Sequence, residues 1–108
     1  MSQRKPIHEE HLLDADGRPA GGFSTGEGFT IDWQDGPTRQ ADGSYERNGA
    51  FVEEVIEACV GRIQFYNSTE FKCRENSLAI THLQEALHWL WDRTRDREER
   101  GVEGTHAL

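Results

Sequence analysis

From residue 48 onward, apolar positions recur at helical spacing. Val52, Ile56, Cys59, Ile63 and Tyr66 follow at steps of four and three, which traces one face of a first helix. Asn48 suits the N-cap, and Glu53 and Glu54 lie near the positive end of that helix's dipole. Asn67-Ser-Thr-Glu70 breaks the pattern. A second helix begins near Arg74–Asn76 and carries Ile80, Leu83, Leu87, Leu90 and Thr94 at the same steps. Gly101 stops it, with Arg97 and Arg100 in its last turn. Two such helices joined by a short polar link predict an antiparallel hairpin over residues 48–100.

Upstream the period is two. Phe29-Thr-Ile-Asp-Trp-Gln34 alternates apolar and polar positions and runs into Asp35-Gly36-Pro37, a strand stopped by a turn. Thr38–Gln40 and Ser44–Arg47 can supply short partner strands around the Asp42-Gly43 turn. This predicts a small antiparallel sheet over residues 28–47, too small to stand alone. Residues 1–27 are polar, Gly-rich and aperiodic, and read as a flexible arm with room for a brief amphipathic turn around Ile7–Leu13. Residues 101–108 form a tail. The fold class is α+β, a small N-terminal sheet followed by a long helical hairpin.

Composition adds an oligomer to this picture. With 108 residues and 34% hydrophobic content, a single copy has little to bury, so self-association is the expected way to complete the core. Mean hydropathy is −0.82. A net charge of −8, from 20 Asp+Glu against 12 Lys+Arg, argues against DNA or RNA, which require a broad basic footprint. No apolar run reaches membrane-spanning length and no secretory signal pattern opens the chain, so Cys59 and Cys73 read as reduced thiols of a cytoplasmic protein.

Against that acidic background, Arg93, Arg95, Arg97 and Arg100 crowd the end of the second helix. The first helix has about 18 residues and the second about 25, so the second overhangs by roughly 10 Å, and the overhang carries these arginines. His82, Trp89, Arg93 and Arg97 fall on one strip, where an indole can stack on a base while guanidiniums hold phosphates. The opposite end has Tyr66, Phe71 and Asn76, with Asn76 about 25 Å from Arg93 along the axis. One small ligand cannot reach both ends of one chain. If both ends serve one ligand, two chains must lie antiparallel and share the site.

Plainer roles weigh against this. Arginines in a last turn complement the helix dipole, and Asp92, Asp96, Glu98 and Glu99 can pair with them in water; pattern alone favours that role. Trp89 and Trp91 are more often packing residues of an oligomer interface, Asn76 a first-turn residue, and Tyr66 a core residue. His82, His88, His106, Cys59 and Cys73 have no metal-ligand spacing, Cys73 has no fixed His partner, and the Gly21–Gly28 segment lacks the Lys-Ser/Thr of a phosphate loop. No acid–base pair presents itself, so the chain reads as a binder without cofactor rather than an enzyme.

Four segments resemble a known family. They are Phe29-Thr-Ile-Asp-Trp-Gln-Asp-Gly-Pro37, Asn48-Gly-Ala-Phe-Val-Glu-Glu-Val-Ile56, Cys73-Arg-Glu-Asn-Ser-Leu-Ala-Ile-Thr81 and Arg97-Glu-Glu-Arg-Gly-Val-Glu-Gly-Thr105. Together they are similar to the phage anti-Thoeris nucleotide sponges, which share a helical hairpin with the phage anti-CBASS sponges. The likeness covers residues 28–106. It implies a catalytically inert protein, in the cytoplasm of an infected bacterium, that sequesters cyclic ADP-ribose isomers or cyclic di- and trinucleotides as a homodimer or homohexamer. It also implies a site between two protomers. The family's asparagine matches Asn76, its two arginines match Arg93 and Arg97, and its aromatic matches Tyr66 or Phe71. A further arginine from the sheet region matches Arg39 or Arg47, and Trp89 and Arg100 stand nearby as additional candidates. The rival readings are a sponge mainly for cyclic di- or trinucleotides, an oligomeric interaction protein that binds no nucleotide, and a phosphodiesterase.

Overall fold

Three strands precede two helices. A computed structural model describes residues 5–101, and the predicted tail beyond Gly101 lies outside them. The chain divides into a sheet-bearing unit that runs through Phe51 and a helical unit, Val52–Gly101. In the first, strands β1 (His8–Leu13), β2 (Pro19–Gly26) and β3 (Phe29–Asp32) pair in that order, both pairs antiparallel. Thus α+β holds, with a small sheet followed by a helical hairpin, but the sheet begins earlier in the chain than its composition suggests.

The expected arm over residues 1–27 is corrected by β1 and β2, which occupy most of it, and the Ile7–Leu13 amphipathic turn is a strand. Their turn is built by Asp14, whose side-chain oxygen accepts the backbone N–H groups of Asp16 at 2.9 Å and Arg18 at 3.0 Å. Glycines that read as irregular chain are there for close approach. Gly22 has φ 123°, and a Cβ on it would lie 2.1 Å from the Glu10 carbonyl oxygen across the β1–β2 ladder. Gly22→Ala is therefore expected to lower stability by at least about 1–3 kcal/mol and to speed amide exchange along β1, whereas Gly17→Ala, which meets no neighbouring atom, is the milder control. Hydrogen exchange read by mass spectrometry checks both.

The polar interior of this sheet is satisfied. Ser24, only 3% exposed, donates its hydroxyl to Glu9 at 2.7 Å and accepts the Trp33 indole N–H at 2.9 Å. Beyond β3 the chain is stitched to the segment leading to the helices. The Gln34 side-chain oxygen accepts the N–H groups of Asn48 and Gly49, while Asn48 exchanges two hydrogen bonds with the Asp35 backbone. Asn48 is thus a tie between loops rather than the predicted N-cap, because the helix starts four residues later, at Val52. Thr38–Gln40 and Ser44–Arg47 meet each other through the single bridge Arg39–Tyr45, and neither pairs with Phe29–Gln34 as a strand. In their turn the Ser44 hydroxyl, then its N–H, hold the Asp42 carboxyl below its usual range.

The helical unit consists of α1 (Val52–Asn67) and α2 (Arg74–Glu99). Among the described residues its buried apolar side chains are Val60 and Leu87, at 7% and 3% exposure. Along α2 the predicted stripe is the inward one: Ile80, Leu83, Leu90 and Thr94 are half-buried around Leu87. On α1 the inward face runs through Ile56, Val60 and Ile63, with Cys59 and Tyr66 exposed, which corrects the predicted face. Residues 59 and 60 both satisfy three-and-four spacing between Ile56 and Ile63, so periodicity cannot choose between them.

Candidate functional site

The turn end of the hairpin is held by side chain-to-backbone bonds. At the C-terminus of α1, Asn67 accepts the Cys73 N–H at 3.2 Å and donates to the Ser77 hydroxyl at 3.1 Å, clasping the loop to the start of α2. Thr69 donates to the Tyr66 carbonyl at 2.6 Å and accepts the Phe71 N–H at 3.2 Å. Asn76, half-buried in the first turn of α2, donates its amide to the Phe71 carbonyl at 3.2 Å. Three residues that the sequence placed at this end, Tyr66, Phe71 and Asn76, are therefore joined by one chain of hydrogen bonds through Thr69.

Two aromatic side chains here are uncovered. Tyr66 is 39% exposed, which corrects its default role as a core residue, and Phe71 is 68% exposed. Large apolar surfaces of this kind, fixed on a stiff hairpin, serve as stacking platforms or interface anchors. Beside Tyr66 stands a residue that the sequence reading did not single out. The Arg62 guanidinium lies 4.9 Å from the Tyr66 ring centroid and 5.0 Å from that of Phe65, and its Nε–H donates to the Tyr66 hydroxyl at 3.1 Å. Its spacing, three and four residues before two aromatics on a helix, was legible as a signal.

The far end of α2 sorts its arginines. Arg95 pairs with Asp92, and Arg100 donates to Asp96 at 3.1 Å, the solvated pairing that pattern alone favoured for all four. Arg93 is exposed and makes no hydrogen bond or ion pair among the described residues. Arg97 differs again: it is 8% exposed and has a partner of its own. The helical wheel explains this. At about 100° per residue Arg97 continues the Leu83–Leu87–Leu90–Thr94 stripe, while Arg93 lies about 40° to its outer side and Trp89 a further 40° out. Trp89 is 72% exposed, edge-on to His88 at 6.3 Å between ring centroids.

A single helix thus carries Asn76 in its first turn and Arg93 and Arg97 toward its end, with no break between them. α2 exceeds α1 by ten residues, about 15 Å rather than the predicted 10 Å. Within one hairpin the two groups remain about 25 Å apart, and the fold does not bring them together. Arg39 and Arg47 belong to the sheet-bearing unit. Arg39 sits in the bridge with Tyr45, and Arg47 stacks over Phe51 at 4.6 Å while donating to the Gly49 carbonyl.

A shallow groove of about 420 Å³ lies between the helices, lined by Val60, Gly61, Gln64, Leu87 and Trp91 among others. A Cβ on Gly61 would meet no neighbouring atom there, and the groove contains none of the predicted ligand residues. Among the described residues no cluster of His, Cys, Asp and Glu could hold a metal ion, and no helix is long and apolar enough to cross a membrane.

Residues 26–94 match the Acb2/Tad1 hairpin domain, a segment that takes in β3, both helices up to Thr94 and the turn end described above. The chain is also 47% identical over 77 residues to Thoeris anti-defense 1 of Bacillus phage SBSphiJ7. That alignment covers 71% of this chain and 51% of the phage protein, so the chain spans about half the length of this relative.

Proposed function

The chain belongs to the Acb2/Tad1 hairpin-domain family, and on that premise we propose that it is a phage immune-evasion protein that binds cyclic nucleotide signals and sequesters them uncleaved. Cyclic ADP-ribose isomers are the first ligand class, and cyclic di- and trinucleotides the second. The place of action is the cytoplasm of the infected bacterium. The carrying observation is a division of labour along the hairpin, with Asn76 and the exposed Tyr66 and Phe71 at its turn end and, toward the far end of α2, a guanidinium that has no partner among the described residues beside a buried one. Both sets suit one ligand, since a base stacks on an aromatic face and a pyrophosphate takes arginine donors.

Because the two ends are about 25 Å apart, the site is assembled from two copies, with Arg93 and Arg97 of one chain over Tyr66, Phe71 and Asn76 of another. The surface favours such an assembly. Phe65, Leu78, Trp89 and Trp91 are all at least 42% exposed on a helical unit with two buried apolar side chains among the described residues. Arg39, Arg47 and Arg100 remain candidates for further contacts.

The test combines binding with recovery. Incubating the protein with cyclic ADP-ribose isomers, and separately with cyclic di- and trinucleotides, should raise its melting temperature with at least one class. Heating should then release that nucleotide chemically intact. Cleaved nucleotide would make the protein a phosphodiesterase, and no shift with any ligand would favour an oligomeric interaction protein built on the tryptophans. Light scattering at micromolar concentration should give at least twice the 12.3 kDa chain mass, and a monomer with full helicity would end the two-copy site.

A further inference from the structure

Arg62 and Tyr66 lie at the turn end of α1, and their chemistry points beyond stacking. The Nε–H of Arg62 is spent on the Tyr66 hydroxyl at 3.1 Å. Because that hydroxyl accepts there, its own proton is left to donate elsewhere. The two terminal amino groups of Arg62 also remain as donors, and Arg62 has no ion pair among the described residues. Contacts with the Phe65 and Tyr66 rings and the bond to the phenol restrain the guanidinium, so less side-chain freedom is left to lose when an anion arrives. The result is a fixed set of donors, two amino groups and one phenol, beside an aromatic face that is open to solvent.

We propose that Arg62 and the Tyr66 hydroxyl form an anion clamp that holds a phosphate of the ligand whose base stacks at the turn end of the hairpin. This rests on the nucleotide-binding reading above and deepens it. The clamp makes Tyr66, rather than Phe71, the aromatic of the site. It also adds a third guanidinium to a pocket whose other two come from the partner copy, so that a pyrophosphate is gripped from both chains. A guanidinium is suited to this role where an ammonium is not, because only the planar group can donate through Nε to the phenol and still present two parallel amino donors to an anion.

Calorimetric titration of the full chain with the cyclic ADP-ribose isomer that the wild type binds tests the clamp. Arg62→Ala should weaken affinity by about ten- to a hundredfold, and Tyr66→Phe, which keeps the ring and deletes the hydroxyl, by about three- to tenfold. Arg62→Lys should recover only part of the loss. Helicity and melting temperature of the ligand-free variants should match the wild type. The affinity gap between wild type and Arg62→Ala should narrow between about 0.05 and 0.5 M salt, which a purely structural role would not produce. Wild-type affinity in Arg62→Ala and Arg62→Lys would overturn the clamp and return the aromatic role to Phe71, leaving the sponge reading intact. Absence of binding by the wild type to every cyclic ADP-ribose isomer and every cyclic di- or trinucleotide offered would overturn both.

Discussion

Replacing Arg93 with alanine is expected to remove most of the ligand affinity and almost none of the stability. The side chain is exposed and makes no hydrogen bond or ion pair among the described residues, so its loss should move the melting temperature of the ligand-free protein by no more than about 2 °C. In the complex the same guanidinium would face a desolvated phosphate, where a charge-assisted pair contributes about 1.5–3 kcal/mol, or roughly a ten- to hundredfold change in affinity. Arg97→Ala should behave differently. Its side chain is 8% exposed and lies on the inward stripe of α2, so truncation also removes packing of its aliphatic stem, and both affinity and melting temperature should fall. Calorimetry paired with thermal denaturation distinguishes the two outcomes. Wild-type affinity in both variants would return these arginines to the solvated helix-end role that Arg95 and Arg100 fill.

That contrast between Arg93 and Arg97 also shows where the sequence was legible. The α2 stripe from Ile80 to Thr94 is read correctly from its spacing because every member is apolar or small, and the helix ends where Gly101 allows its positive φ. Arg97 completes the same stripe, but a charged residue carries no hydrophobic signal, and only the helical wheel places it inward. On α1 the spacing is satisfied equally by Cys59 and Val60, and which one is buried depends on how α2 lies against it. The strands β1 and β2 were illegible for another reason. His8-Glu-Glu-His-Leu-Leu13 does not alternate, and Pro19-Ala-Gly-Gly-Phe-Ser-Thr-Gly26 resembles a linker, so their pairing rests on main-chain hydrogen bonds and on a glycine that admits the Glu10 carbonyl. At the site, Asn76, Tyr66 and Phe71 could be assigned to one end because they flank a predicted turn. Arg62 was missed because its spacing to Phe65 and Tyr66, though readable, gives way to the solvated-face role of any helical arginine until the two rings are seen beside the guanidinium.

Mixing two defective chains should restore binding to about a quarter of the sites, and this result follows from the length of α2. Asn76 is in the first turn of that helix and Arg93 lies about 25 Å further along, so a pocket using both takes them from different copies. In a homo-oligomer of Asn76→Ala chains every such pocket lacks its amide, and in one of Arg93→Ala chains every pocket lacks its guanidinium. Unfolded together and refolded, the two chains assort at random. A pocket that draws its turn end from an Arg93→Ala chain and its arginine end from an Asn76→Ala chain has both residues intact. That combination arises in about one pocket in four, whether the assembly is a dimer or a larger array of the same two-fold contact. An equal number of pockets carry both defects, and about half carry one. Stoichiometry from calorimetry therefore reads the architecture directly, since only the intact quarter titrates with wild-type affinity. A pocket formed within one chain would give no such class, because no chain in the mixture holds both residues. Zero restored sites in a mixture shown by mass spectrometry to contain hybrids would rule out the shared pocket, even if each single variant had lost binding as expected.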